Sequence, residues 1–355
     1  CYGIAVYEGY SGLNDFLMLV MQEDLNIPWD FAMANQRNLT CYWGDRQELS
    51  KKQWQIVKNL GYKYRGKNQW LYFMSFEPGY APFNLDQDEV LRMTEYLQGL
   101  EKILEYYEEN DVNIDFKNGN ILCMIKDQKN NTVRFEEEPL PFFEYCPGIL
   151  MPEDESFIEE LKRMPVCRAR LEADIFPMRT SIADSKYDRP ADPFICLIMD
   201  AASGMVINFE MTEPGESAEL YLAEMIAGFI LQYGKPKEIR ISNRIVEAAI
   251  KNLCDAAGIK LRFRKTFSLQ FISKRFHIIN FSIKNNRTVF PVFLTNHRLM
   301  SVFQINDGKS HMCQTAFVIQ IGAVFIRAPV LLDPVHIIQY FNPGFFFSVI
   351  LFPGI

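Results

Sequence analysis

Between Pro193 and Phe263, short apolar runs alternate with longer amphipathic ones, and a turn or helix-stop signal marks each change. Phe194–Met199 is a continuous apolar run, Asp200-Ala-Ala-Ser-Gly204 is turn chemistry, and Met205–Met211 reads as the return strand of a hairpin. Pro214-Gly215 breaks the chain. Ser217 is placed to cap a helix through Tyr233, with Leu220, Ala223, Ile226, Phe229 and Ile230 facing inward. Gly234-Lys235-Pro236 supplies a C′ glycine with a proline beyond it. Glu238–Ser242 predicts a strand, and Ser242 or Asn243 the cap of a second helix with Val246, Ala249, Ile250, Leu253 and Cys254 on its inner face. Gly258 ends that helix, and Ile259–Phe263 is a last strand. The order β-β-α-β-α-β leaves little topological freedom, because strands joined through helices run parallel with right-handed crossovers.

The preceding residues divide in two. Residues 1–140 read as an α+β domain. Gly3–Tyr7 is a strand, and Ser11 caps a helix carrying Leu13, Phe16, Leu17 and Val20 on one face. A strand near Asn38–Trp43 and a helix near Lys51–Leu60 follow, with Gly61 at the helix end. The aromatic-rich Tyr62–Phe73 stretch suits half-buried strands, and Trp70–Phe76 is either such a strand or the wall of a groove. Asp86 caps the strongest helix, Gln87–Glu109, whose apolar stripe is Val90, Met93, Leu97, Leu100, Ile103, Leu104 and Tyr107. Ile121–Lys126 and Thr132–Glu136 flank a polar turn and form a hairpin. Residues 141–190 read as a connector with a short helix near Glu153–Arg163 and a strand near Arg168–Phe176, and residues 191–269 form the α/β domain described above.

Composition sets the last segment apart. The chain of 355 residues carries a net charge of −7, which argues against a nucleic-acid surface over the whole molecule. Residues 271–355 nevertheless hold 7 Lys and Arg against 2 Asp and no Glu, with 13 of the 29 Phe and all four His. Residues 270–355 therefore read as an atypical Phe-rich basic tail, either a separate module or out-of-frame sequence, poorly packed and dispensable for the unfolding of the body. Cys1 in place of Met reads as a truncated N-terminus. The eight Cys form no CxxC pair, which speaks against a zinc site and for reduced thiols in a cytoplasm. No apolar run is long enough to span a bilayer. GxSxG, GxxxxGK[ST] and GxGxxG are absent, no small-molecule cofactor is evident, and no His precedes His277, so a His-dependent triad within the body is excluded.

The stretch "PFICLIMDAASGMVINFE … LAEMIAGFILQYGKPKEIRISNRIVEAAIKNLCDAAGIKLRF" resembles the RNase H-like superfamily, in particular integrase and transposase catalytic cores. With "PGYAPF" at Pro78–Phe83, residues 1–269 also resemble a group of uncharacterised bacterial proteins known only as domains of unknown function. The resemblance implies an α/β and α+β protein, an N-terminal α+β domain followed by an RNase H-like β-β-α-β-α-β domain. It also implies a site in which Asp and Glu hold two divalent cations. The first ligand would be Asp200. The place of the second is taken by Asn243, beside the guanidinium of Arg244, and the third would be Glu247 or Asp255. The pattern keeps a scaffold and lacks one acid.

Each residue also has a plain structural role. Asp200 suits a hairpin turn, Asn243 a helix N-cap, and Glu247 and Asp255 solvated helix positions. Lys235, Lys237, Arg240 and Arg244, with Lys260, Arg262, Arg264 and Lys265, either meet a phosphate backbone or balance nearby acids. The sequence thus favours a non-catalytic binding or adaptor protein in the cytoplasm, with a protein or nucleic-acid partner and no cofactor. The alternative is a nuclease or polynucleotidyl transferase using Asp200 with Glu247 or Asp255 and Mg²⁺ or Mn²⁺.

Overall fold

The computed structural model describes residues 2–110, 112–115, 118–127, 132–152, 154–264, 303–306, 318–321, 336–341 and 347–352; for Tyr2, 126–127 and the last four strands it describes backbone alone. In chain order these form β1 (Tyr2–Glu8), α1 (Gly9–Val20), α2 (Trp29–Ala34), β2 (Asn38–Gly44), α3 (Lys51–Asn59), β3 (Trp70–Phe76), α4 (Gln87–Glu109), β4 (Asn120–Asp127) and β5 (Thr132–Pro139). Then follow β6 (Ile149–Pro152), α5 (Glu155–Arg163), β7 (Arg170–Pro177), β8 (Phe194–Asp200), β9 (Val206–Met211), α6 (Ala218–Tyr233), β10 (Glu238–Ile241), α7 (Arg244–Ala257) and β11 (Lys260–Phe263). The last are β12 (Phe303–Asn306), β13 (Val318–Ile321), β14 (His336–Phe341) and β15 (Phe347–Phe352).

The chain divides into two compact units: Cys1–Val20, Asn35–Tyr145 and His311–Ile355 form unit 1, and Met21–Ala34 with Cys146–Ser310 form unit 2. Unit 1 holds an eight-stranded sheet in the order β3-β2-β1-β15-β13-β14-β4-β5. Alternation along β1 feeds two cores. Ile4 and Val6 pack with Met93, Tyr96, Leu100 and Ile103 of α4, while Ala5 and Tyr7 pack with Leu13, Phe16 and Leu17 of α1. α4 opens at Asp86 through a reciprocal capping box with Glu89. Two sequence expectations shift here. α1 begins at Gly9, directly after β1, so Ser11 lies inside its first turn. Val90 of α4 faces solvent at 49% exposure, the inner face running instead through Met93, Tyr96, Gly99, Leu100 and Ile103.

Unit 2 is built on a five-stranded sheet in the order β11-β10-β7-β8-β9. β7, β10 and β11 are parallel, whereas β8 and β9 are antiparallel to their neighbours. Residues 141–190, read from sequence as a connector, therefore supply β6, α5 and the central strand. β7 is a strand because its residues alternate: Leu171, Ala173 and Ile175 are sealed on one side, as are Ile239 and Ile241 of the neighbouring β10. α6 and α7 pack against the sheet and each other. Six consecutive α6 residues, Leu222–Ala227, are buried, so this helix is enclosed on more than one side. β12 pairs with β6 in a separate two-stranded ladder. The expectation of a loosely packed tail concerns side chains outside the described residues.

Candidate functional site

The parallel strand β10 ends beside the middle of β7, and there three polar residues meet. Asp174 of β7 accepts from the Ser242 hydroxyl at 2.8 Å on Oδ2. Its Oδ1 accepts from Asn243 Nδ2 at 3.1 Å and from the Ile175 backbone N–H at 2.9 Å. Asn243 is fully buried, and its Oδ1 accepts the Val246 N–H at 3.0 Å as the N-cap of α7. Burial pushes the Asp174 carboxyl up to about 6; the Ser242, Ile175 and Asn243 donors oppose that rise, and the charge of Asp30 adds to it. Asp30, on α2, pairs with Arg179, which lies two residues beyond β7 with a left-handed backbone (φ 57°). In open α/β sheets, ligands bind outside the carboxyl ends of the strands; Ser242 and Asn243 follow the carboxyl end of β10, while Asp174 lies within β7.

The sequence-predicted acids lie elsewhere in their own local pairs. Asp200 closes the β8–β9 turn, accepting from the Ser203 N–H at 2.8 Å and the Ser203 hydroxyl at 2.7 Å. Those bonds, the hydroxyl first, hold its pKa below the usual carboxylate range. Glu247 pairs with Arg244 one helical turn away, and Asp255 with Lys251 at 2.5 Å. Among the described residues no three His, Cys, Asp or Glu gather where a metal would be held. Asp174 was missed because its strand was read as part of a connector. The signal was the Leu171-Glu-Ala173-Asp-Ile175 alternation, which marks a strand with one sealed face.

The basic cluster is largely spent inside the sheet. Arg240 lies 2.9 Å from Glu238 and 3.7 Å from Glu172, and Arg262 lies 2.8 Å from Glu238. Burial raises the Glu238 pKa, but Arg240, Arg262 and Arg170 outweigh it, leaving the carboxyl below its ordinary value. Lys235 Nζ donates to the Lys162 carbonyl at 2.7 Å, and Arg244 also lies over the Phe263 ring at 5.5 Å. Lys237 remains exposed. Among the described residues, no helix is long and apolar enough to cross a membrane.

Residues 1–124 match a family described as a domain of unknown function, DUF7309, and residues 157–272 match a second, DUF6930. The second match spans β7 as well as the stretch from β8 to β11. No curated protein matches the sequence. Among solved structures, the catalytic core domain of HTLV-2 integrase with magnesium, dimeric form, is 16% identical, covering 35% of this chain and 77% of that one at a TM-score of 0.24. Its trimeric form gives 16%, 35%, 80% and 0.24. The simian T-cell lymphotropic virus intasome in complex with PP2A regulatory subunit B56 gamma gives 13%, 49%, 72% and 0.24. These are distant likenesses.

Proposed function

We propose that this chain is a binding or adaptor protein of the cytoplasm, built on an RNase H-like scaffold that has lost its hydrolytic role. One observation carries the reading: the carboxylate of the central strand is hydrogen-bonded to Asn243, the residue standing where the family resemblance calls for a second acid. Two-metal hydrolysis needs anionic ligands whose lone pairs face the cations. The Asp174 oxygens instead accept from a hydroxyl, an amide and a backbone N–H, and an amide is a weak neutral ligand. The site then serves to lock the middle of β7 to the start of α7, and the partner, protein or nucleic acid, engages another surface. The buried thiols Cys41, Cys123, Cys196 and Cys254 accord with a reducing compartment.

The test is cleavage of single- and double-stranded DNA and RNA with Mg²⁺ or Mn²⁺, run on the full chain and on Asp174→Asn and Asp200→Ala. No divalent-dependent cleavage above the level of the variants is expected. A metal-dependent activity abolished by either change would establish the nuclease alternative, with Asp200 and Glu247 or Asp255 as its ligands or with Asp174 in their place.

A further inference from the structure

A second surface, on unit 1, is marked by charge and aromatic rings together. Residues 45–67 hold seven cations, Arg46, Lys51, Lys52, Lys58, Lys63, Arg65 and Lys67, against two acids, Asp45 and Glu48, in a chain whose net charge is −7. All seven cations are exposed. Both acids are occupied within the segment and its strand. Asp45 Oδ1 accepts the Asn68 N–H at 2.8 Å, and Glu48 accepts the Asp45 N–H at 2.9 Å and the Tyr72 hydroxyl at 3.0 Å. Among the described residues none of the seven cations forms an ion pair, in contrast to Arg240, Arg244 and Arg262 of unit 2.

The same segment carries a continuous run of rings and cations. Tyr62 stacks on Tyr64 (5.9 Å, 18°), and Tyr64 meets Trp70 edge-on at 5.9 Å. Arg46 lies over both Trp70 (5.8 Å) and Trp54 (5.7 Å), and Lys58 lies over Trp54 at 5.3 Å. The run ends at Tyr62, which is 59% exposed, with Lys63, Arg65 and Lys67 following in the same loop. α3 buries only Gln53 of its nine residues, so packing alone does not account for its Trp54 ring and its cations.

We propose that this surface binds single-stranded nucleic acid: a base stacks on the open face of Tyr62, and phosphates meet Lys63, Arg65 and Lys67. The occupant follows from combining the two features. Anionic side chains of a protein would use the cations and leave the ring face idle, and a duplex keeps its bases stacked out of reach. A single strand offers a planar base and a phosphate in each unit. The inference goes beyond the function proposed above. It rests on unit 1 alone and stands or falls independently of whether unit 2 cleaves.

The experiment is fluorescence anisotropy with labelled oligo-dT and oligo-rU of about 16 nucleotides, the upper end of site sizes for such surfaces, using the full chain at low salt. Lys63→Glu/Arg65→Glu and Tyr62→Ala are compared with Lys237→Glu/Lys260→Glu, which makes the same charge change in unit 2. All altered residues are exposed, and circular dichroism checks that the folds are equal. Binding is expected to weaken about tenfold or more in the first two variants and little in the third. The slope of log affinity against log salt should become shallower by roughly 1.4 in Lys63→Glu/Arg65→Glu, as for two lost phosphate contacts to a single strand. No binding at low salt overturns the proposal, as does equal weakening by the unit 2 pair. Tighter binding to a duplex of the same length, or to phosphatidylserine vesicles, overturns it as well.

Discussion

The amide of Asn243 faces two ways, Oδ1 accepting the N–H of Val246 that opens α7 and Nδ2 donating to Asp174. Asn243→Ala removes both bonds. The expected loss is about 2–4 kcal/mol: roughly 1 for the cap, plus the cost of a carboxylate with one donor fewer. Asn243→Asp separates the two roles, since Asp caps a helix as well as Asn does but places a second carboxylate 3.1 Å from the first. The pH dependence has a definite sign. Asp174 titrates near 6 in the folded chain, above its unfolded value, so its protonated form favours folding. That contribution is complete below the unfolded value of about 4 and is lost as pH rises through 6. Asn243→Asp should therefore melt close to the parent near pH 5, where the pair shares a proton, and well below it at pH 8, where both acids ionise. Asn243→Ala should lie below the parent at both. Thermal melts at the two pH values check this, and a pH-independent deficit in Asn243→Asp would refute the pairing.

Helix ends and strand partners differ in how far their causes lie along the chain. Gly234 ends α6 with φ 91°, and a Cβ there would sit 2.4 Å from the Pro165 carbonyl oxygen. Gly258 ends α7 with φ 71° and open space around it. Both positions suit glycine, but only one is crowded. Gly258→Ala should cost about 1 kcal/mol, the ordinary penalty for a side chain in that region. Gly234→Ala should cost clearly more, because backbone must move. Urea unfolding of the two variants distinguishes them; equal costs would mean the Pro165 contact is slack. The same contrast explains what was legible beforehand. The caps Asp86, Ser217 and Asn243 and both glycine stops could be read because their partners lie within a few residues. The place of β7 could not. Its neighbours β8 and β10 lie on either side of it in the sheet but only one adjoins it in sequence, and Glu172 and Asp174 look like acids of an isolated connector strand until Arg240 and Ser242 stand beside them. Asn243 was legible as a cap and as the residue in an acid's place. Its hydrogen bond to Asp174 depends on sheet order, which no local pattern carries.

At the scale of the molecule, unit 2 draws part of its core from residues far upstream. Phe31 of α2 is 1% exposed and packs on Phe194 of β8, with ring centroids 5.4 Å apart. Phe31→Ala should destabilise unit 2 by about 3–5 kcal/mol, the usual cost of emptying such a site. Thiol labelling under mild denaturant localises the effect. Cys196 and Cys254 of unit 2 should react faster, while Cys41 and Cys123 of unit 1 keep the parent rate. Uniform acceleration of all four would show the contact is not confined to one unit. The interleaved chain path also bears on biogenesis. During translation α2 leaves the ribosome more than a hundred residues before the strand it seals, so a long intervening segment must be looped out before that part of unit 2 closes. An expression fragment begun at residue 146 would be left with the Phe194 ring bare, an adhesive spot inviting aggregation, unless the peptide 21–34 is supplied with it.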